Sequence, residues 1–199
     1  MSQAKDQKHK ERQQKLKEQV DKRIADAQQE KGIFQVITGN GKGKSTSGFG
    51  VVTRCVGHGM KAAVVQFIKG GWDCGERNLL QKVGVPFSVM DTDFTWETQN
   101  RDADKKAAEL VWQDAKKFLC DDSIDLVLLD ELTYMISYDY LDLSDVISTL
   151  KQRPTMQSVI VTGRGAHREL TELADTVSEV RNVKHAFDAG IKAQKGFDY

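Results

Sequence analysis

Residues 38 to 46, TGNGKGKST, combine glycines, lysines and hydroxyl side chains in an order that suits phosphate binding. The common phosphate-binding loop has the pattern G-x-x-x-x-G-K-[ST], in which glycines let successive backbone N–H groups turn toward an anion. Gly43, Lys44 and Ser45 match the end of this pattern, but Thr38 stands at its first position and the first glycine comes one residue later. The motif therefore predicts a phosphate-binding loop that is one residue shorter than usual.

The residue types in this loop indicate how a phosphate would be held. Glycines permit positive φ and leave no Cβ in the way, while Lys44 supplies a full positive charge and the Ser45 hydroxyl can ligate Mg²⁺. A glycine-rich turn that only enters a helix is the alternative, but such a turn needs neither Lys42 nor the Lys-Ser-Thr run. The predicted phosphate-binding residues are Gly39, Asn40, Gly41, Lys42, Gly43, Lys44, Ser45 and Thr46.

Two acidic residues end a second apolar strand, LVLLDE, at Asp130 and Glu131. A buried strand that carries a carboxylate to the edge of a sheet can hold Mg²⁺ directly or through water. A strand that ends in Asp-Glu is common by itself, but together with the loop it predicts a metal site. Its predicted ligands are Ser45, Asp130 and Glu131, with Mg²⁺ as the expected ion and Mn²⁺ as an alternative.

A third glycine-rich strand end, VTGRGAHREL at residues 161–170, carries Arg164. The position predicts that Arg164 reaches the bound ligand. A simple turn before a helix fits the same sequence equally well, so the residues alone leave both interpretations open.

An aromatic pair, Phe94 and Trp96, flanks a single residue in the polar segment DFTWETQN. Such a pair is often only the anchor of a loop on the core. The functional alternative is a platform for a large flat ligand, because aromatic rings offer broad apolar faces.

The elements that must position these residues alternate along the chain from residue 32 onward. Runs of strand length, rich in β-branched or aromatic residues, occur at 33–38, 62–67, 86–91, 124–130 and 158–163. Helix-like segments lie between them, including one from Lys44 to Gly57 or Gly59 and others at 102–119 and 142–151. The alternation predicts an α/β fold with a mainly parallel sheet flanked by helices, with ligands at the carboxyl ends of the strands.

Residues 1–31 differ from the rest of the chain because they carry nine Lys/Arg and six Asp/Glu with no Gly or Pro. They predict a charged N-terminal helix that precedes a single P-loop domain, residues 32–199. This helix has a narrow apolar stripe: Leu16, Val20, Ile24 and Ala27. The helix is either a solvated, partly frayed segment or a docking element, for instance on a second subunit.

The composition excludes several classes of protein. The 199 residues are 39% hydrophobic, and Lys+Arg and Asp+Glu both number 29. A chain with a net charge of zero lacks the excess of basic residues that nucleic-acid binders carry. No apolar run is long enough for a membrane span or a signal peptide. Three widely separated cysteines suggest neither a metal site nor a disulfide framework. We therefore expect a cytoplasmic protein with no nucleic-acid or membrane partner.

Seven segments together resemble the bacterial corrinoid adenosyltransferases of the housekeeping type, which make adenosylcobalamin from ATP. The segments are GNGKGKST, VVQFIKG, GERNLL, FTWETQNR, VLLDELTYMISYDYL, VTGRG and VKHAFDAGIKAQKGFDY. The resemblance extends along essentially the whole chain, and FTWETQNR is a highly specific marker of it. One departure is that the loop usually ends Lys-Thr-Thr in the family, whereas this chain has Lys44-Ser45-Thr46 and so keeps the hydroxyl group.

The resemblance implies a reaction in which cobalt(I) of a reduced corrinoid attacks the 5′-carbon of ATP and triphosphate leaves. The nucleotide is expected to lie reversed in the loop, so that the γ-phosphate takes the place of the usual α-phosphate. Lys44 would neutralise charge on the leaving group. Phe94 and Trp96 would lie against the lower face of the corrin and displace its lower axial ligand, which makes cobalt(II) easier to reduce. A homodimer, an N-terminal helix over an active site and an electron-donating flavoprotein are also implied.

Two rival functions use the same residues. An ordinary P-loop NTPase or kinase would use Glu131 to polarise a water molecule and would release ADP and phosphate. A nucleotide-dependent binding module would use Phe94 and Trp96 to contact a protein partner and would show binding without turnover.

Overall fold

The computed structural model describes residues 2–68, 73–90 and 101–198, with side chains from residue 5 onward. The chain divides into two compact units, residues 1–30 and residues 31–199.

The first unit is one long helix, α1, which spans Ser2–Asp26. It ends before Ala27, so the predicted apolar stripe is shorter than expected, and Leu16, Val20 and Ile24 are exposed on it. The sequence of α1 is strongly polar, and across the described ranges no helix has the length and apolar composition needed to cross a membrane.

The second unit alternates strands and helices, as the sequence predicts. Its strands and helices in chain order are β1 (Phe34–Thr38), α2 (Lys44–Gly57), β2 (Ala62–Gln66), α3 (Gly75–Lys82), β3 (Phe87–Val89), α4 (Arg101–Cys120), β4 (Leu126–Asp130), α5 (Leu132–Ser137), α6 (Leu143–Gln152), β5 (Ser158–Thr162), α7 (Arg168–Leu173) and β6 (Thr176–Glu179). A short 3₁₀ turn at Phe187–Ala189 follows the last strand.

The strands form one six-stranded sheet in the order β3-β2-β4-β5-β1-β6, and every neighbouring pair is parallel. This confirms the predicted α/β fold. Because all strands run in one direction, their carboxyl ends lie along one edge, where ligands bind in folds of this kind. The ends of β1, β4 and β5 and the segments that directly follow them carry the predicted phosphate-binding and metal-binding residues and Arg164.

The strands differ from the prediction in three main respects, apart from shifts of one residue at the ends of β1, β2 and β5. Strand β6 was not predicted, β3 is only three residues long, and β4 begins two residues later than the apolar run suggested. The late start of β4 has a local cause, because the side chain of Asp125 accepts a hydrogen bond from the Lys61 N–H at 2.8 Å. Asp125 therefore belongs to the turn before the strand.

Helices cover both faces of the sheet, and alternate residues of each buried strand reach opposite layers. In β4, Leu126 and Leu128 pack with side chains of α2 and α3, whereas Val127 and Leu129 pack with those of α4, α6 and α7. Helix α2 lies close to the sheet at Gly48, where an added Cβ would come within 2.8 Å of a Leu128 methyl carbon. This packing holds the start of α2 at the end of β1.

Candidate functional site

The loop between β1 and α2 folds its lysine back over its own backbone. Gly43, with φ of 116°, caps α2, and Lys44 is the first helical residue. The Lys44 Nζ donates a hydrogen bond to the Gly41 carbonyl at 2.8 Å, and only 7% of Lys44 is exposed. The first N–H groups of a helix have no partner within the helix. The start of α2 therefore offers backbone donors beside a buried ammonium group, an arrangement that binds anions.

Burial is the main influence on the charge of Lys44. Desolvation lowers the pKa of this lysine, and the positive charge of Arg164 lowers it further, while Glu131 and Asp130 act in the opposite direction. The charges of two acidic side chains and one guanidinium thus act on this ammonium group. An incoming anion would stabilise its charged form.

The first half of the loop needs glycine because another segment packs against it. The Gly41 N–H donates to the Val180 carbonyl at 2.7 Å. A Cβ on Gly39 would lie 2.5 Å from that carbonyl oxygen, and one on Gly41 would lie 2.5 Å from the Arg181 oxygen. The Gly41 N–H is therefore engaged within the protein, and the donors that remain for a phosphate come from later in the loop.

A cavity of about 660 Å³ opens in front of the loop. Its lining comes from the loop itself (Asn40 to Thr46), the start of α3 (Asp73, Cys74, Gly75, Glu76 and Leu79), two strand ends (Glu131 and Arg164) and the C-terminal segment (His185, Ala193, Gly196, Phe197 and Asp198). The structure thus brings together the phosphate loop, one of the two predicted metal-binding acids and Arg164.

The two acids at the end of β4 have different surroundings. Glu131 has a left-handed backbone, with φ of 63°, and lines the cavity. Asp130 is fully buried, and its Oδ1 accepts a hydrogen bond from Thr162 Oγ1 at 2.7 Å while its Oδ2 accepts one from Gln66 Nε2 at 3.3 Å. Glu131 is therefore the acid that a ligand in the cavity can contact directly.

The turn after β5 is held tightly against α5. Gly163 has φ of 137°, and a Cβ there would lie 2.0 Å from Thr133 Oγ1. The same Thr133 hydroxyl donates to the Arg164 carbonyl at 2.8 Å. The segment is thus a turn before a helix, as one interpretation of the sequence had it, and it also places Arg164 at the cavity.

The C-terminal segment is joined to the cavity by two ion pairs. Lys42 Nζ lies 2.6 Å from an Asp198 carboxylate oxygen and 5.7 Å from the centre of the Phe197 ring. Lys195 Nζ lies 3.7 Å from Asp73 Oδ2. Both pairs are partly exposed, so each contributes little to stability.

The donors at the cavity fit a magnesium ion that shares its ligands with a phosphate. In the ranges that the structure describes, no group of three or more His, Cys, Asp or Glu residues could hold a metal ion. The Ser45 hydroxyl and the Glu131 carboxylate both line the cavity, and oxygen ligands of this kind suit Mg²⁺. Mg²⁺ is usually bound by one or two carboxylates together with substrate phosphates.

Two of the predicted site residues, Phe94 and Trp96, lie outside the described residues, and four other residues near the site were not predicted. No role was predicted from the sequence for Gln66, Thr162, Phe197 or Asp198. For the first two the sequence offers one weak signal, because each is a polar residue at the carboxyl end of an apolar strand, as Asp130 is, but a single residue of this kind is common.

Comparisons with known proteins agree with the resemblance seen in the motifs. The family described as ATP:corrinoid adenosyltransferase BtuR/CobO/CobP matches residues 30–199, and the one described as Cob(I)alamin adenosyltransferase N terminal matches residues 1–24.

Three full-length relatives carry the same description. The chain is 62% identical to the corrinoid adenosyltransferase of Escherichia coli (strain K12), an alignment that covers 98% of this chain and 99% of that protein. It is 61% identical to the corrinoid adenosyltransferase CobA of Salmonella typhimurium, with the same coverage. The corrinoid adenosyltransferase of Pseudomonas aeruginosa is 50% identical, with 98% of this chain and 97% of that protein covered.

Proposed function

The chain belongs to the ATP:corrinoid adenosyltransferase family, and from this premise we propose that its cavity holds the triphosphate of ATP. The enzyme transfers the adenosyl group of ATP to the cobalt of a corrinoid. The observation that carries the proposal is the buried Lys44 ammonium, which lies at the start of α2 in a cavity shared with Glu131 and Arg164.

In the proposed reaction, cobalt(I) of the reduced corrinoid supplies the electron pair for a new bond to the 5′-carbon of ATP. The bond between that carbon and the α-phosphate oxygen breaks, and its electron pair leaves on triphosphate. Negative charge therefore grows on the leaving group, where Lys44, Arg164 and the start of α2 stabilise it. Because cobalt(I) carries no proton, no general base is required.

The nucleotide is proposed to lie reversed, with its γ-phosphate at the place that the α-phosphate occupies in ordinary P-loop proteins. Two features of the loop support this orientation. Thr38 replaces the first glycine, and the Gly41 N–H already bonds to Val180. The first half of the loop thus differs from an ordinary phosphate cradle, while the second half, from Gly43 to Thr46, keeps its usual form.

Mg²⁺ is the proposed cofactor, and Mn²⁺ would have the same ligand preference. Ser45 and Glu131 would hold the ion together with phosphate oxygens. The buried Asp130 carboxylate would bind it directly or through a water molecule. When bound, the ion supplies positive charge to the triphosphate.

The remaining assignments extend beyond the cavity. Phe94 and Trp96 are proposed to displace the lower axial ligand of the corrin. Residues 32–199 would form the domain for nucleotide and corrinoid, and residues 1–31 a lid or a contact in a homodimer. A cytoplasmic flavoprotein would supply the electrons that reduce the cobalt.

The test combines purified protein, ATP, Mg²⁺ and a chemically reduced corrinoid. We expect triphosphate together with a cobalt–carbon bond, detected by phosphorus NMR and by the visible spectrum of the corrinoid. Release of ADP and phosphate would instead indicate a hydrolase, and binding without products would indicate a binding module.

The metal assignment is tested by substituting its ligands. Ser45→Ala, Asp130→Asn and Glu131→Gln should each lower turnover, and raising the Mg²⁺ concentration should partly restore it where only ligation is weakened. Glu172→Gln is the matched control, because this exposed glutamate pairs with Arg168 on α7. An effect of Mg²⁺ concentration that is the same in all four variants would contradict the assignment.

A further inference from the structure

We propose that Gln66 and Thr162 are positioning residues that hold the Asp130 carboxylate as an outer, water-mediated ligand of the magnesium ion. This inference rests on the function proposed above, in which the ion accompanies the nucleotide. It assigns a task to two side chains that do not line the cavity and for which the sequence motifs predicted no role.

The three residues come together because their strands are neighbours. Gln66 ends β2, Asp130 ends β4 and Thr162 ends β5, and β4 lies between the other two strands. Gln66 is directly in register with Asp130. Each of the three is fully buried, with an exposed fraction of 0%. Three polar side chains thus end three adjacent apolar strands at the edge where the cavity lies.

The hydrogen bonds fix the Asp130 carboxylate from both sides. Thr162 Oγ1 donates to Oδ1 at 2.7 Å, and Gln66 Nε2 donates to Oδ2 at 3.3 Å. The Thr162 hydroxyl also accepts the Glu131 N–H at 3.0 Å. One hydroxyl group therefore orients the buried acid and the backbone of the acid that faces the cavity.

One atom of this network points to a ligand. Gln66 Oε1 is buried and has no hydrogen-bond partner among the described residues. A buried acceptor without a donor costs free energy, so native proteins rarely leave one unmatched. Mg²⁺ retains several water molecules when proteins bind it, and such a water would supply the donor that Gln66 lacks.

Gln157 offers a built-in comparison. Its Oε1 also lacks a partner among the described residues, and it too is buried. Its Nε2, however, donates to three backbone carbonyls, those of Phe118, Asp121 and Ile124. Gln157 directly precedes β5, at the amino end of the sheet and opposite the edge that carries the site. Its role is structural, which makes Gln157→Met a matched control for Gln66→Met.

The experiment measures the affinity for ATP by calorimetry with Mg²⁺ and with a chelator, and compares the ratio of the two affinities between variants. Gln66→Met and Thr162→Val should each lower the Mg²⁺-dependent gain in affinity about tenfold, which is typical for residues that orient metal ligands. Thr162→Ser keeps the hydroxyl and should retain the gain. Gln157→Met should lower the unfolding temperature but leave the ratio unchanged.

The inference is overturned if Gln66→Met and Thr162→Val behave like Gln157→Met, with lower stability and an unchanged ratio. If Gln66→Met does not fold, the test depends on Thr162→Val alone. Ser45→Ala and Glu131→Gln serve as references. If the references lose the Mg²⁺-dependent gain and the two positioning variants keep it, only this inference fails. If the references also keep it, the proposed metal site itself is wrong.

Discussion

Lys44 shows how a single residue of this enzyme combines structural and chemical demands. Its ammonium group is buried, which lowers its pKa, while the negative charges of Glu131 and Asp130 act to raise it. Its hydrogen bond to the Gly41 carbonyl holds the side chain against the backbone of the loop. A triphosphate would meet a cation that is already desolvated, and this strengthens the attraction between them.

We expect Lys44→Ala to remove most of the adenosyltransferase activity. The developing charge on triphosphate loses its main cation, and the loss of one such contact typically costs roughly 3 kcal/mol or more in the transition state. Steady-state rates at saturating ATP measure the effect. Lys117→Ala, which removes an exposed lysine paired with Asp114, is the control. Turnover of Lys44→Ala within twofold of the wild type would refute the assignment.

Replacing Phe94 and Trp96 together with alanine tests their role at the corrin. If the rings displace the lower axial ligand of the corrin, the double variant should still use cobalt(I), which has no lower ligand. It should fail with cobalt(II) that retains one. Each ring also covers about 150–250 Å², so some corrinoid affinity should be lost in both assays. The quantity to measure is the ratio of the two rates. If both rates fall together, the pair only anchors a loop.

Among individual residues, the sequence predicts those whose type is unusual for their position. A lysine and a serine after three glycines have few purely structural explanations, and two acids at the end of an apolar strand become informative when they accompany such a loop. Gln66 and Thr162 escaped prediction because a single polar residue at the end of a strand is ordinary. Their importance depends on which strands become neighbours, and a linear pattern does not contain that information.

Among the elements, β6 is held to β1 by side chains as well as by the strand ladder. The Asp175 carboxylate, immediately before β6, accepts a hydrogen bond from the Phe34 N–H at 3.0 Å and forms an ion pair with Lys31. The hydrogen bond from Lys31 lowers the pKa of Asp175 most, and the Phe34 N–H lowers it further.

This pair predicts a dependence of stability on pH. The folded pKa of Asp175 lies below the value of about 3.9 for an unfolded chain, so the contribution of the carboxylate is complete above about pH 4 and is lost as pH falls through the folded pKa. We expect Asp175→Asn to lower the urea midpoint at neutral pH, with the difference from wild type shrinking below about pH 4. Asp188→Asn, in the exposed 3₁₀ turn, is the control. A difference that stays constant with pH would contradict this origin.

The C-terminal segment is the second element with a measurable effect on the cavity. Asp198 is paired with Lys42 at the cavity, where its negative charge opposes an incoming triphosphate. Asp198→Asn should therefore raise ATP affinity by about two- to fivefold, the range expected for a partly exposed pair, and added salt should reduce the gain. Calorimetry at low and high salt measures it, with Asp188→Asn as the control. Equal affinities at low salt would show that the pair does not compete with nucleotide.

Strand β6 is the secondary-structure element that the sequence pattern did not predict. The five strands that the sequence predicts are apolar because both faces of the sheet are covered. The segment TVSE of β6 is mostly exposed at the sheet edge, and it forms a strand through its pairing with β1. Its residues have no apolar run to reveal it, so only the fold shows it.

For the whole molecule, the division into two units predicts the outcome of a deletion. Removal of residues 1 to about 25 should leave a folded α/β unit, because all six strands lie beyond residue 33. If the helix serves as a lid, the truncated protein should lose corrinoid use more than ATP binding. Circular dichroism, calorimetry and turnover measure these three properties. Unchanged turnover would indicate that α1 is only a solvated helix.

The position of β1 in the sheet has a consequence for synthesis on the ribosome. Its two neighbours are the last strands of the chain, with Phe34 in register with Val159 and Gln35 with Thr176. At ordinary rates of translation, on the order of ten seconds separate the emergence of β1 from that of its neighbours. Throughout that time the nascent nucleotide loop has no strand on either side and no Val180 to bond with. The loop that follows β1 is therefore made early but is among the last parts of the cavity to take its shape.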